Sequence, residues 1–448
     1  MDVAKKRILT NEVLMQSLES LAEFTFSTAQ TNRKNAKPEG HVDYYVWNPT
    51  SLSPMFSIHK ESRPDYSQTF WNTIKQFEDT ELFNKSMDLL CDIDEKFDLA
   101  LTSFITAITA KAFSSKDVDV RNIVENFIKD LNGEAQEYRA TVRVDGITIE
   151  SPTIQLDSNA RLRNPKLKDL YRVRTVEPNY PDNPLRKFTL FLDIKTCVNN
   201  QNEAHEVIEH SISTLQLFKP GGIQGVFYDI DSDSITNPVV GKTSFDLGLN
   251  SNTYRYKISK QEEESLLTFW ANLKTVELPH LAKITREKTT DQLSIAYERY
   301  LEYFKSTLFD KQILYLVSGL EGLFLKPEEK TDLKYKLSLR AGKLLGLIGY
   351  DAYEVREKIC IAYDIRSKYA HGYISKNKDF DKVLKFGDVD EFSMSIADYL
   401  RASIVALLKR PTKDNLITKL DNSFLDTDIE NEIKELLFSP KEAFHVTG

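Results

Sequence analysis

The sequence predicts an α+β multidomain protein: a mainly helical N-terminal region over residues 1–135, a β-rich middle domain with helices over 136–284, and an all-helical C-terminal bundle over 285–448. Three observations carry this reading. Apolar residues recur at three and four positions before about residue 135 and again after about 285, the period of an amphipathic helix. Between about 136 and 260 the period drops to two, as in half-buried strands. At 448 residues, the chain also exceeds what one hydrophobic core usually supports, so two or three domains are expected.

The elements follow in chain order. NEVLMQSLESLAEF and NKSMDLLCDIDEKFDLALTSFITAITAKAF space their apolar residues as helices do, and the polar, aromatic-dotted stretch 31–70 between them reads as an extended loop or short hairpin. EYRATVRVDGITIES alternates around Asp145-Gly146, a hairpin signal. The strands KFTLFLDIKT and GVFYDID bracket the helix EAHEVIEHSISTLQLF, which the breaker cluster Lys219-Pro220-Gly221-Gly222 stops. NTYRYKIS then KQEEESLLTFWANLK read as strand and helix, joined at Ser259 with Glu262 three residues on, a capping box. Five helices make the bundle: TTDQLSIAYERYLEYFKSTL, KQILYLVSGLEGLFL, DLKYKLSLRAGKLLGLI capped at Asp332, AYEVREKICIAYDIRSKYAHG and DEFSMSIADYLRASIVALLK. DIENEIKELLF adds one more helix before a polar, loosely held end.

Totals narrow the function. Cys91, Cys197 and Cys360 lie far apart and form no closely spaced pair, against a disulfide framework or a thiolate metal site. No stretch approaches the ~18 consecutive apolar residues of a membrane span. A cytoplasmic protein with no membrane partner is expected. A net charge of −8 disfavours a general nucleic-acid coat, so any RNA contact is local. The local candidate is a basic stripe, Lys336, Arg340 and Lys343, beside the apolar stripe Leu333, Leu337, Leu344 and Ile348; basic stems lying along a core-facing helix explain it somewhat better than phosphate binding does.

Three motifs fail on geometry. His205 and His210 lie five apart rather than the four that align zinc ligands on a helix. The series Asp229, Asp231, Asp233 lacks the turn glycine, where Ser234 stands, and the bidentate glutamate, where Val240 stands, of a calcium loop. Gly221, Gly222 and Gly225 follow a helix and precede a strand, the reverse of a phosphate-binding turn. No metal and no cofactor is expected.

What remains is Asp364-Ile365-Arg366-Ser367-Lys368-Tyr369-Ala370-His371-Gly372. Read plainly, His371 before Gly372 is a helix C-terminus, where an imidazole suits the dipole and glycine takes the left-handed cap. The segment also resembles the Apea-like branch of the HEPN ribonucleases, in which an arginine, a polar residue, a short spacer and a histidine close a helix of an all-α bundle. Those positions are Arg366, Ser367 and His371. LVSGLEGLFL around Glu321 is similar to the family's first long helix and SLRAGKLLG around Arg340 to its second block; LQLFKPGGIQG and RYKISKQEEESLL are similar to segments before the catalytic module. About half the chain is covered, and residues 1–135 match nothing.

The resemblance implies a metal-independent endoribonuclease that cuts RNA, tRNA or other structured loops among the candidates, by 2′-hydroxyl attack, leaving a 2′,3′-cyclic phosphate. His371 would move the proton, Arg366 would steady the phosphorane, and Ser367 would bind phosphate or hold Arg366. A Glu321–Arg340 pair would support the site, with Lys336, Lys343 and Lys368 near the RNA. On an undistorted helix Arg366 and His371 diverge by about 140°, so either the helix unwinds before Gly372 or two copies meet in a homodimer. By analogy the setting is antiphage defence or abortive infection, with the preceding parts sensing a phage-derived trigger. The alternatives are a non-catalytic HEPN interaction or RNA-binding protein, and a sensor whose middle domain binds a phage-derived ligand.

Overall fold

The computed structural model describes residues 12–49, 56–94, 97–114, 119–165, 189–236, 241–244, 249, 253–279 and 291–438. The terminal segments 1–11 and 439–448, and Val240 of the calcium-like series, lie outside them.

Among the described residues five helices come first: α1 (Glu12–Asn35), α2 (Ser67–Glu78), α3 (Glu81–Cys91), α4 (Asp98–Ser114) and α5 (Val120–Leu131). Their stripes, among them Leu18, Leu21, Phe77, Phe104, Ile108 and Phe127, close over a core of their own. Thr80 and Asp119 cap α3 and α5 by accepting from Phe83 N and Asn122 N, satisfying N–H groups the helices leave open. The 31–70 stretch is a longer hairpin than its composition suggests, with β1 (Gly40–Pro49) and β2 (Phe56–Asp65) pairing antiparallel over ten residues each.

A mixed architecture follows. The strands β3 (Gln136–Asp145), β5 (Thr153–Gln155), β6 (Ala160–Arg163), β7 (Thr189–Val198), β8 (Gln224–Ser232) and β9 (Gly241–Ser244) form one six-stranded sheet, ordered β5-β6-β7-β3-β8-β9. The pairings are antiparallel throughout. The hairpin expected at Asp145-Gly146 does not form. Gly146, at φ +89°, turns the chain out of the sheet, and β4 (Ile147–Ile149) pairs in parallel with β10 (Tyr256–Ile258) instead. Period-two alternation marks a strand without naming its partner.

Alternation sorts β3 into two faces. Tyr138, Ala140, Val142 and Val144 are buried on the face covered by α6 (Gln201–Phe218). The other carries charge: Arg139 meets Glu137 at 2.6 Å and Asp233 at 2.9 Å, and Asp193 receives Arg163 at 2.7 Å. Asp231 and Asp233 thus serve a strand-end ion pair. Helix α7 (Glu263–Leu273) follows β10, and Glu262 accepts from Ser259 N at 2.9 Å, the bond a capping box requires, and from Ser259 Oγ, also at 2.9 Å.

The C-terminal bundle contains all five expected helices: α8 (Gln292–Lys305), α9 (Phe309–Phe324), α10 (Leu333–Leu347), α11 (Ala352–Ala370) and α13 (Val389–Ala406). It adds α12 (Asn377–Val383), α14 (Lys413–Asn422) and α15 (Ile429–Leu436), of which only α15 is expected from sequence. Asp332 precedes α10 but does not cap it; its backbone is left-handed at φ 58° and its side chain accepts no cap bond. Helix α9 is central, touching α8, α10, α11 and α13. No helix among the described residues is long and apolar enough to cross a membrane.

Sheet and bundle share one hydrophobic core, running from Tyr138 to Leu437. The junction is polar as well as apolar. A helix leaves its last four carbonyls without backbone partners, and at the end of α6 side chains satisfy all four. Tyr256 Oη donates to Leu215 O at 2.8 Å and Tyr300 Oη to Gln216 O at 3.1 Å. Arg401 Nη1 donates to Leu217 O at 2.7 Å and Phe218 O at 3.2 Å. Arg401 is 1% exposed, and Asp398, 2.6 Å away, balances its charge.

Candidate functional site

Helix α11 begins at Asp351, whose carboxylate accepts from Tyr353 N and Glu354 N, each at 2.9 Å. Val355, Ile359, Ala362 and Ile365 form its buried stripe, at the spacing that keeps one face on the core. The helix is regular through Ala370, with His371 at the C-cap. Gly372 takes φ +82°; Tyr373 N donates to Lys368 O at 3.0 Å and Gly372 N to Tyr369 O at 3.0 Å, a Schellman closure. Unwinding before Gly372 therefore does not occur, and the one-chain route that would bring Arg366 and His371 together is not taken.

The two residues stand in different surroundings. Arg366 faces α9, where its Nη2 donates to Glu321 Oε2 at 2.6 Å and its guanidinium lies 5.9 Å from the Tyr363 ring. Its Nε is buried without a hydrogen-bond partner. Burial holds the Glu321 carboxyl above the usual carboxylate range although Arg366 pulls the other way. His371 is exposed. Ser367 lies between them, and its hydroxyl bonds neither Arg366 nor any other described residue, so it does not hold the guanidinium in place.

The expected Glu321–Arg340 pair is absent, because each residue has nearer partners. Glu321 goes to Arg366, the contact the sequence reading misses; the spacing of 45 residues between them gives no local signal. Arg340 is buried and spans two carboxylates: Glu329 receives its Nη1 and Nη2 at 2.8 Å, and Asp421 its Nε at 2.7 Å and Nη2 at 2.8 Å. Phe324 O takes a further bond at 2.9 Å. Arg340 thereby ties α10 to the loop before it and to α14.

The basic stripe is neutralised in the same way. Lys336 lies 3.3 Å from Glu329, Lys343 lies 2.5 Å from Glu430 and 5.4 Å from the Phe424 ring, and Lys368 pairs with Asp379. These cations hold neighbouring segments rather than standing free for phosphate.

The Arg340 network sets a pH dependence. Arg340 first, and the Lys326 N–H and Lys336 with it, hold the Glu329 carboxyl at about 2 against its ordinary 4.5. Its folded pKa is depressed, so its stabilising contribution is full above about 4.5 and is lost as pH falls through about 2. Glu329→Gln is expected to flatten the acid limb of a urea-unfolding stability profile, and Arg340→Ala to cost about 3–5 kcal/mol at neutral pH. An acid limb unchanged in Glu329→Gln would contradict the assignment.

Compared with known proteins, the chain matches no family model, no curated protein and no solved structure.

Proposed function

We propose that the chain is a metal-independent HEPN endoribonuclease, active as a homodimer, in which Arg366 and His371 act on one RNA phosphodiester. The observation that carries this reading is the Arg366–Glu321 contact on the helix that ends at the exposed His371, in a segment that resembles the Apea-like motif. A half-buried guanidinium with one open N–H is poised to exchange a carboxylate for a phosphate, since two oxygens of either group can accept from its planar fork. Glu321, already shifted toward its protonated form, takes up a proton more readily once the guanidinium leaves. The imidazole at the helix end is free to take the 2′-hydroxyl proton and return it to the leaving oxygen.

One chain does not assemble this pair, so a second copy completes the pocket. The surface for it adjoins His371: Tyr373, Ile374 and Leu308 are 65%, 72% and 62% exposed. Ser375 N donates to Asp310 Oδ1 at 3.0 Å, fixing Tyr373 and Ile374 beside the start of α9 and next to Leu308. Three exposed large apolar groups in one place mark a contact surface. Ile374→Glu, which leaves the core untouched, is expected to yield monomers by light scattering and to abolish cleavage; a dimer that survives it would move the interface elsewhere.

The reaction is tested on end-labelled RNA with EDTA present. Cleavage leaving 2′,3′-cyclic ends should persist and a DNA copy should stay intact; loss of cutting in EDTA would sink the metal-free reading. By analogy the activity serves antiphage defence, with a phage-derived trigger acting through the preceding parts and the cytoplasm as the setting.

A second reading draws on the same pair. Arg366 already has a carboxylate, and His371 already closes a helix, so both have structural work in a non-catalytic RNA-binding or interaction module. RNA retention without turnover, unchanged by substitution of either residue, is its signature.

A further inference from the structure

A cleft of about 520 Å³ between α6, β7 and α7 belongs to none of this machinery, and its size is that of a small-molecule site. Ile194 and Val198 of β7, Val207 of α6 and Trp270 of α7 give it apolar walls. Two bonds fix those walls: Trp270 Nε1 donates to Asp157 at 2.9 Å, and His210 Nε2 donates to Leu273 O at 3.1 Å.

Most of the charge around the cleft is already engaged. Asp157 accepts from Lys274 Nζ at 3.0 Å and from the N–H groups of Asn159 and Ala160. Lys195, at the rim, lies 3.6 Å from Glu137. Glu203 is committed to the start of α6, accepting from Asn199 N at 3.0 Å. Glu206 differs. It lines the cleft from α6, and it has no hydrogen bond or ion pair among the described residues. Its neighbour Glu209 is another carboxyl, held above the usual range by burial first and by the Glu206 charge second. A cleft with apolar walls thus carries one carboxylate that no described residue neutralises.

We propose that this cleft binds a small organic cation, an aliphatic ammonium on a short apolar chain, with the ammonium at Glu206 and the chain along Ile194, Val198 and Trp270. An ammonium at Glu206 gains a charge-assisted contact that a neutral ligand lacks, and an anion would meet the carboxylate directly while both lysines are already paired. The site is independent of the nuclease reading and is tested by binding alone.

The test is calorimetry on the full chain with pentylamine, its neutral counterpart pentanol and its anionic counterpart pentanoate. Pentylamine should bind saturably at one site per chain, and Glu206→Gln should weaken it at least about tenfold, the loss of one charge-assisted contact. Glu206 is exposed and unbonded, so that variant keeps the fold, and an unchanged melting temperature verifies it. Glu23→Gln, an exposed carboxylate on α1, controls for general charge and should bind as the parent does. The proposal is overturned if pentylamine fails to saturate, if pentanol or pentanoate binds as tightly, or if the two variants weaken binding equally.

Discussion

His371→Ala is expected to lower single-turnover RNA cleavage by about 10²–10⁴-fold, the usual contribution of a positioned general acid–base. RNA binding should change little, because an exposed imidazole at a helix C-cap supplies no buried contact. Arg366→Ala should cost about 10²–10³-fold, as when one donor to a charged transition state is removed. Arg366→Lys should not rescue it, since an ammonium lacks the planar fork. A mixture of the two alanine variants separates the one-chain from the two-chain site. If Arg366 of one copy serves His371 of the other, mixed dimers regain one intact pair, and cleavage returns where each variant alone is silent. Undiminished cutting by His371→Ala would assign the chemistry elsewhere.

The second large effect lies at the junction between sheet and bundle. Asp398→Ala should destabilise the chain by about 3–5 kcal/mol, because it leaves Arg401 buried with no carboxylate. It also removes the partner of Tyr350, whose hydroxyl donates to Asp398 Oδ2 at 2.7 Å. Arg401→Leu fills the space but orphans the Leu217 and Phe218 carbonyls, each costing about 1–3 kcal/mol. Both losses are large beside the ~5–15 kcal/mol by which domains are typically stable. Urea unfolding measures them, and hydrogen exchange should show the last turn of α6 opening first in Arg401→Leu. A loss below about 1 kcal/mol would mean that water takes over the caps.

How much of this is legible beforehand depends on how local the signal is. Helices α9, α10, α11 and α13 are written in their apolar period, and the end of α11 in His371-Gly372, because glycine alone reaches φ +82° without strain. Helix α12 spans seven residues, too few for a period to show. Asp145-Gly146 announces a turn truthfully, yet not that the next strand leaves for β10, since that choice rests on a partner more than a hundred residues away.

The charged residues divide in the same manner. Arg366 and Arg340 look alike in the chain, each on a helix and each near an acidic candidate. Only the packed bundle gives Arg366 to Glu321 and Arg340 to Glu329 and Asp421. Composition, helix period and caps are properties of neighbouring residues, so the amino-acid order by itself determined the α+β class, the helical bundle and the place where α11 stops. Which guanidinium meets which carboxylate, which strand joins which sheet, and that Glu206 has no counter-charge among the described residues were decided only by tertiary structure. Long flexible side chains reach any of several partners, and the cost of burying an unpaired charge selects among them only after the core has closed.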